Sequence, residues 1–187
     1  MGEDFPDAQL MADEGTPDAN WREIELRHAD GDIIAAVERN SVDSDPVAVA
    51  EIRRFLDEIA DARPANAVRW LSEFLPTVRT IYAFQVLSGT ESGNGWEALS
   101  HLQSIIWNAG TGIFQADVEG FSNLDGYYIL WQFAADVQGQ RQMAVLDHDD
   151  TWLTFGMDLG NRAHREAFLQ GRVPDGIVAT PSGPTGR

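Results

Sequence analysis

The sequence predicts an α+β fold: an antiparallel β-sheet of about five strands packed against two or three helices, with an N-terminal β-hairpin and flexible termini. Three observations carry this. Runs of alternating residues, rich in aromatic and β-branched types, recur at 78–86 and through 113–158. Apolar residues at helical spacing fill 46–62, 66–75 and 96–107. The two ends, 1–19 and 174–187, are rich in Asp, Glu, Pro, Gly or Ser and lack any period. A single α+β domain over 20–173 is expected, between a flexible acidic tail at 1–19 and a flexible C-terminal tail at 174–187.

Each element has a local cause. Asp30-Gly31 is a tight-turn signal, and Ile24 and Leu26 before it alternate with charged residues, so 21–38 reads as a β-hairpin. Asp45-Pro46 starts a helix, with an acidic N-cap and proline at the first helical position. Val49, Ile52, Phe55, Leu56 and Ile59 then line one side, and the helix should end near Ala62, before Pro64. A second helix spans 66–75 and is stopped by Pro76. The period then changes to two, giving a strand over 78–86. Ser88 to Gly95 is a polar, glycine-containing loop, read as a mobile connection. A third helix covers 96–107, and four strands follow at 113–121, 126–134, 141–147 and 151–158. Asn123 to Gly126, Val137 to Gln140 and His148 to Asp150 supply their turns, which makes a C-terminal four-stranded meander. A last helix runs from Asn161 to Leu169, ended by Gly171 and Pro174.

Composition bounds the function. The chain has 187 residues with 43% hydrophobic and 23% charged, near globular averages, so disorder along its whole length is excluded. Its formal net charge is −17, and all 13 basic residues are arginine. Such a balance disfavours nucleic acid and anionic membranes, which need a basic surface, and permits a basic partner. Much of the excess lies before residue 62. There is no cysteine, which removes disulfides, thiolate metal sites and cysteine nucleophiles. No apolar run approaches the roughly 18 residues of a membrane span, and the acidic N-terminus is no secretory signal, so a cytoplasmic location is expected.

The residues that can carry chemistry are few. In the strand expected at 113–121, Gln115, Asp117 and Glu119 would share one face, with the two carboxylates about 7 Å apart. Such a pair can bind a divalent cation or share acid–base work, although a solvated sheet face has the same pattern. Asp147, His148, Asp149 and Asp150 offer three carboxylates and an imidazole, but they join two strands, where Asp is a usual turn residue. The loop at 88–95 has three glycines before a helix, yet matches no phosphate-binding pattern and contains Glu91. Motifs for activated nucleophiles are absent, and His28, His101, His148 and His164 are scattered. No catalytic residue, metal site or cofactor is assigned. Of six tryptophans, Trp96, at a helix start, and Trp152, beside the acidic turn, are the two expected to be half exposed.

In composition the chain resembles small bacterial immunity and inhibitor proteins: acidic, cysteine-free, rich in tryptophan and without a catalytic motif. The likeness attaches to no particular residue and implies no site. The leading expectation is a non-enzymatic acidic protein-binding domain for a basic partner. Its surface would be Asp117, Glu119, Asp147, Asp149 and Asp150, with Trp152 and Trp96 as aromatic anchors. One alternative is a small enzyme or ligand-binding domain with a carboxylate-lined cleft at Asp117 and Glu119, to which His101 and a divalent cation could be added. Another is an assembly subunit of phage or mobile-element origin, self-associating through an exposed sheet edge or apolar patch. The oligomeric state is left open.

Overall fold

A computed structural model describes residues 8–12 and 21–182. Of the tail expected over 1–19, residues 1–7 and 13–19 lie outside the described residues, as do 183–187 of the tail expected over 174–187. The fold is α+β, with four α-helices and antiparallel sheets among the described residues. The chain divides into two compact units, Met1–Glu51 with Val78–Thr111, and Ile52–Thr77 with Gly112–Arg187.

The first unit is built on a four-stranded antiparallel sheet, in the order β1 (Ala8–Ala12), β2 (Glu23–His28), β3 (Ile33–Ser41), β4 (Thr80–Val86). Strand β1 falls within the stretch expected to be a loose tail. The expected hairpin forms as β2–β3. Gly31 takes φ +103° in its turn, and the His28 N–H donates to the Asp32 carbonyl at 2.9 Å. A bulge follows, since Leu26 pairs with Ala35 but Arg27 pairs with Ile33. The extra residue is Ile34, so Ile34 and Ala35 are both fully buried although they are neighbours in a strand. The core lies on one sheet face, where Ile24, Leu26, Ala35 and Val37 meet Ala98, Leu99 and Leu102 of the helix at Gly95–Asn108.

The loop at 88–95 is no slack connection. It contains a 3₁₀ turn over Ser88–Glu91, and Gly89 lies against the β2–β3 hairpin. A Cβ at Gly89 would stand 2.5 Å from the Ile33 carbonyl oxygen. His28 Nε2 is 2.8 Å from the Gly89 carbonyl oxygen, which ties the loop to the end of β2.

Helix α1 (Pro46–Ile59) starts where the sequence requires, with the Asp45 carboxylate accepting the Val47 N–H at 2.8 Å. The division between the units falls inside it. In the second unit, α2 (Ala65–Phe74) places its Asn66 side-chain amide on the Leu146 carbonyl, and Trp70 stacks on Phe74 at 5.0 Å. The helix of the first unit at Gly95–Asn108 is α3, and α4 (Arg162–Leu169) closes the order of helices. Asn161 caps α4, its side-chain oxygen accepting from the Ala163 and His164 N–H groups at 2.9 and 3.3 Å.

The expected meander forms only in part. Strands β7 (Gln140–Leu146) and β8 (Trp152–Asp158) pair in full register, and β9 (Thr180–Pro181) adds to β8. In place of one strand over 113–121 there are two short pieces, β5 (Gln115–Ala116) and β6 (Gly120–Phe121), folded on each other. The reason lies in the backbone. Val118 has φ +60° and Gly120 φ +117°, and the Glu119 N–H donates to the Ala116 carbonyl at 3.2 Å. The stretch at 126–134 runs as a connector. Its Tyr128 N–H donates to Gln142, its Ile129 N–H to Phe121 and its Trp131 N–H to Arg63. Backbone groups that bond to three different neighbours make no ladder, although Ile129 and Leu130 are fully buried, as their apolar run requires. The core of this unit gathers Phe133, Met143, Val145, Phe155, Met157, Leu159 and Phe168.

Candidate functional site

The turn changes the geometry expected for Asp117 and Glu119. They do not alternate along a strand face; they flank Val118, whose side chain is 76% exposed at the tip of the β5–β6 hairpin. Asp117 is exposed, with the Gln115 amide 3.4 Å from its carboxylate. Glu119 turns inward, accepts a hydrogen bond from the Tyr128 hydroxyl, and has Arg141 at 3.5 Å. One carboxylate is solvated and the other is satisfied internally, so they form neither a cation-binding pair nor an acid–base pair.

The Tyr128 phenol is held neutral. Burial pushes its pKa up to about 12, and the hydrogen bond and negative charge of Glu119 add to the effect. An ordinary tyrosine titrates near 10. The folded-state value is therefore raised, and the stability that Tyr128 contributes is fully present below about pH 10 and is lost as pH rises towards about 12. Tyr128→Phe is expected to flatten the fall in stability over that window while costing about 1 kcal/mol at pH 7. Urea unfolding at pH 7, 10 and 11.5 checks it; a parallel pH dependence in both proteins would contradict it.

The turn at Asp147–Asp150 is a braced acidic loop. The Asp147 carboxylate accepts the N–H groups of Asp149 and Thr151, each at 2.9 Å, and Asp150 takes φ +56°. This is the Asx-type turn that makes Asp a frequent residue there. Asp150 pairs with Arg69 of α2 at 2.6 Å, which raises the Arg69 pKa above its usual value, chiefly through that hydrogen bond. Ligand atoms of Asp147, His148 and Asp149 lie within 4.8 Å of one another; Oδ1 of Asp147 is engaged by the turn, and the other two side chains stand in solvent.

Two expected anchors behave differently. Trp152 is only 9% exposed and packs edge-on against Trp70 at 5.4 Å, so it belongs to the core and offers no anchor. Trp96, at the start of α3, is 53% exposed. Nor do Glu119 and the Asp147–Asp150 turn of the second unit share one patch. Glu119 lies beside Arg141 at the start of β7 and Asp147 follows its end, about 20 Å along an extended strand.

Two features lie outside the residues expected to carry function. An open hollow of about 390 Å³ lies along α4, lined by Asn161, His164, Glu166, Gln170, Arg172 and Asp175. The buried His164 Nδ1 has no hydrogen-bond partner among the described residues, while Glu166 is paired with Arg162 at 2.7 Å. The other is the outer edge of β4, a strand expected from the sequence, where Tyr82 and Val86 are exposed at the end of the sheet. The only advance sign of it is an uncharged seven-residue run, TIYAFQV.

Among the described residues no helix is long and apolar enough to cross a membrane. The chain matches no family model, no curated protein and no solved structure, so its function is to be argued from its own residues.

Proposed function

We propose that this protein is a non-enzymatic binding domain that holds a basic protein partner, in the manner of an immunity or inhibitor protein. The observation that carries this is the state of its charges. Glu3, Asp4, Asp7, Asp13, Glu14 and Asp18 lie outside the described residues, as does Arg187, which leaves 24 of the 30 acids against 12 of the 13 arginines. The acidic surplus is thus carried mainly by the described residues. Six of those arginines (Arg27, Arg54, Arg69, Arg79, Arg141 and Arg162) already pair with carboxylates of this same chain. The acids still outnumber the arginines once these pairs are set aside; in the second unit Asp117 and Asp149 are exposed, and in the first unit, separately, Trp96 is exposed. Complementary charge speeds encounter and selects the partner, and an exposed aromatic side chain supplies the contact that holds it.

A cytoplasmic location and the exclusion of nucleic-acid partners belong to the same proposal; the latter rests on repulsion between the acids and a phosphate backbone. The test is capture from a cell lysate on immobilised protein at 0.15 M salt. Basic proteins are expected in the eluate, with recovery falling several-fold for the D147N/D149N/D150N variant and at 1 M salt, where screening shortens to about 3 Å. Recovery of neutral or acidic proteins, insensitive to salt and to the variant, would overturn the reading.

A further inference from the structure

We propose that the outer edge of β4 accepts an extended segment of a basic partner as a fifth strand, with lysine or arginine at the position that looks across Ala83 towards Glu38. The inference deepens the proposed function and rests on it: it adds, for one extended segment of a basic partner, a docking element in the first unit that is separate from the Asp147–Asp150 turn.

The register fixes which backbone groups are open. The Leu87 N–H donates to the Ile34 carbonyl and the Val42 N–H to the Arg79 carbonyl, each at 2.9 Å. Between these bonds Gln85 faces Ala36, Ala83 faces Glu38 and Ile81 faces Asn40. Hydrogen-bonded and non-bonded pairs alternate in an antiparallel ladder, so the odd-numbered residues of β4 bond to β3. The N–H and C=O groups of Thr80, Tyr82, Phe84 and Val86 point the other way. Among the described residues none of these four makes a backbone hydrogen bond to another segment on that side. The strand also carries no charge, proline or bulge, the devices that blunt an edge against pairing.

The side chains along the edge define its occupant. On one face Tyr82 (37% exposed) and Val86 (47% exposed) flank Phe84, so an incoming strand meets apolar surface there. Trp21 extends that surface, its ring 6.0 Å from Tyr82. On the other face Ala83 lies between the edge and Glu38, and Glu38 stands directly opposite Glu23 of β2. Like charges in that position repel. Neither glutamate has an ion-pair partner among the described residues, whereas the neighbouring Glu25 is paired with Arg27. An added strand would lie about 5 Å beyond β4 and about 10 Å from β3. The methyl group of Ala83 leaves that lane open, and the long stem of a lysine or arginine opposite it reaches Glu38. The matching sequence alternates basic and apolar residues. A second copy of this chain fits less well, because pairing β4 with β4 brings two Glu23–Glu38 stripes together between molecules of net charge −17.

The probe is a nine-residue peptide alternating lysine with valine. It is compared with a glutamate–valine peptide and with a lysine–valine peptide N-methylated on the amides that would face β4. Calorimetry is run with the full chain, with Glu38→Arg, with Val86→Pro and with D147N/D149N/D150N. Val86→Pro removes an outward N–H and leaves the ladder to β3 intact, and circular dichroism confirms its fold; Glu38→Arg tests the site without touching the backbone. The expected result is binding of the lysine peptide that weakens at least ten-fold on N-methylation, in Glu38→Arg and in Val86→Pro, and at most two-fold in the turn variant. Binding that ignores N-methylation but is lost in the turn variant overturns the edge and leaves the proposed function standing. No preference for the lysine peptide over the glutamate peptide overturns both. A concentration-dependent dimer of the free protein, abolished by Val86→Pro, assigns the edge to self-pairing and also overturns the inference.

Discussion

Phe168→Ala is expected to cost about 3–5 kcal/mol of stability, the range for emptying a large aromatic site in a packed core. The ring is fully buried on α4, within the cluster formed by Phe133, Met143, Val145, Phe155, Met157 and Leu159. Trp131 lies against it with ring centroids 6.2 Å apart. Few of these neighbours can move in to fill the gap, because Met143 and Phe155 sit on the paired strands β7 and β8, whose register is fixed along seven residue pairs. Urea unfolding followed by tryptophan fluorescence measures the loss, and Phe168→Leu should restore most of it. A cost below about 1 kcal/mol would mean that this cluster is not the core of its unit.

The second large effect is expected at Gly120, where Gly120→Ala should cost about 3 kcal/mol or more. Two causes add. The residue takes φ +117°, a conformation that side-chain-bearing residues rarely adopt. A Cβ there would also stand 2.6 Å from the Leu130 carbonyl oxygen. That oxygen cannot easily retreat, since Leu130 is fully buried and the adjoining Ile129 N–H donates to the Phe121 carbonyl at 2.9 Å. Gly126→Ala is the control, because Gly126 also has positive φ (+83°) but has open space around its Cβ position. The difference between the two thermal midpoints isolates the close approach. Equal shifts would contradict it.

These two sites show how far the sequence could be read. Helix starts were legible because their causes are local: Asp45 before Pro46, and Asn161 ahead of α4, each satisfies N–H groups within three residues. The β2–β3 hairpin was legible for the same reason, through Asp30-Gly31. The run at 113–134 was not. An apolar–polar alternation looks the same whether its backbone groups meet one neighbour or three, and here Tyr128, Ile129 and Trp131 each bond to a different segment. The candidate site failed in a related way. Trp152 follows an acidic turn and so reads as half exposed, but its covering residue, Trp70, is far away in the chain. Glu119 reads as a solvent-facing acid because Tyr128 and Arg141, which satisfy it, are likewise distant. The open edge of β4 depends on sheet order, which no single strand encodes.

The central proposal is that a cationic chain docks on this acidic molecule along β4. Residue-resolved amide hydrogen exchange, with and without the lysine–valine peptide at 0.15 M salt, tests it most directly. The outward amides of Tyr82 and Phe84 should exchange at least ten-fold more slowly when the peptide is bound, while those of Asp149 and Asp150 keep their rates. Unchanged exchange at Tyr82 and Phe84 under saturating peptide, or equal slowing by the glutamate–valine peptide, would contradict the claim.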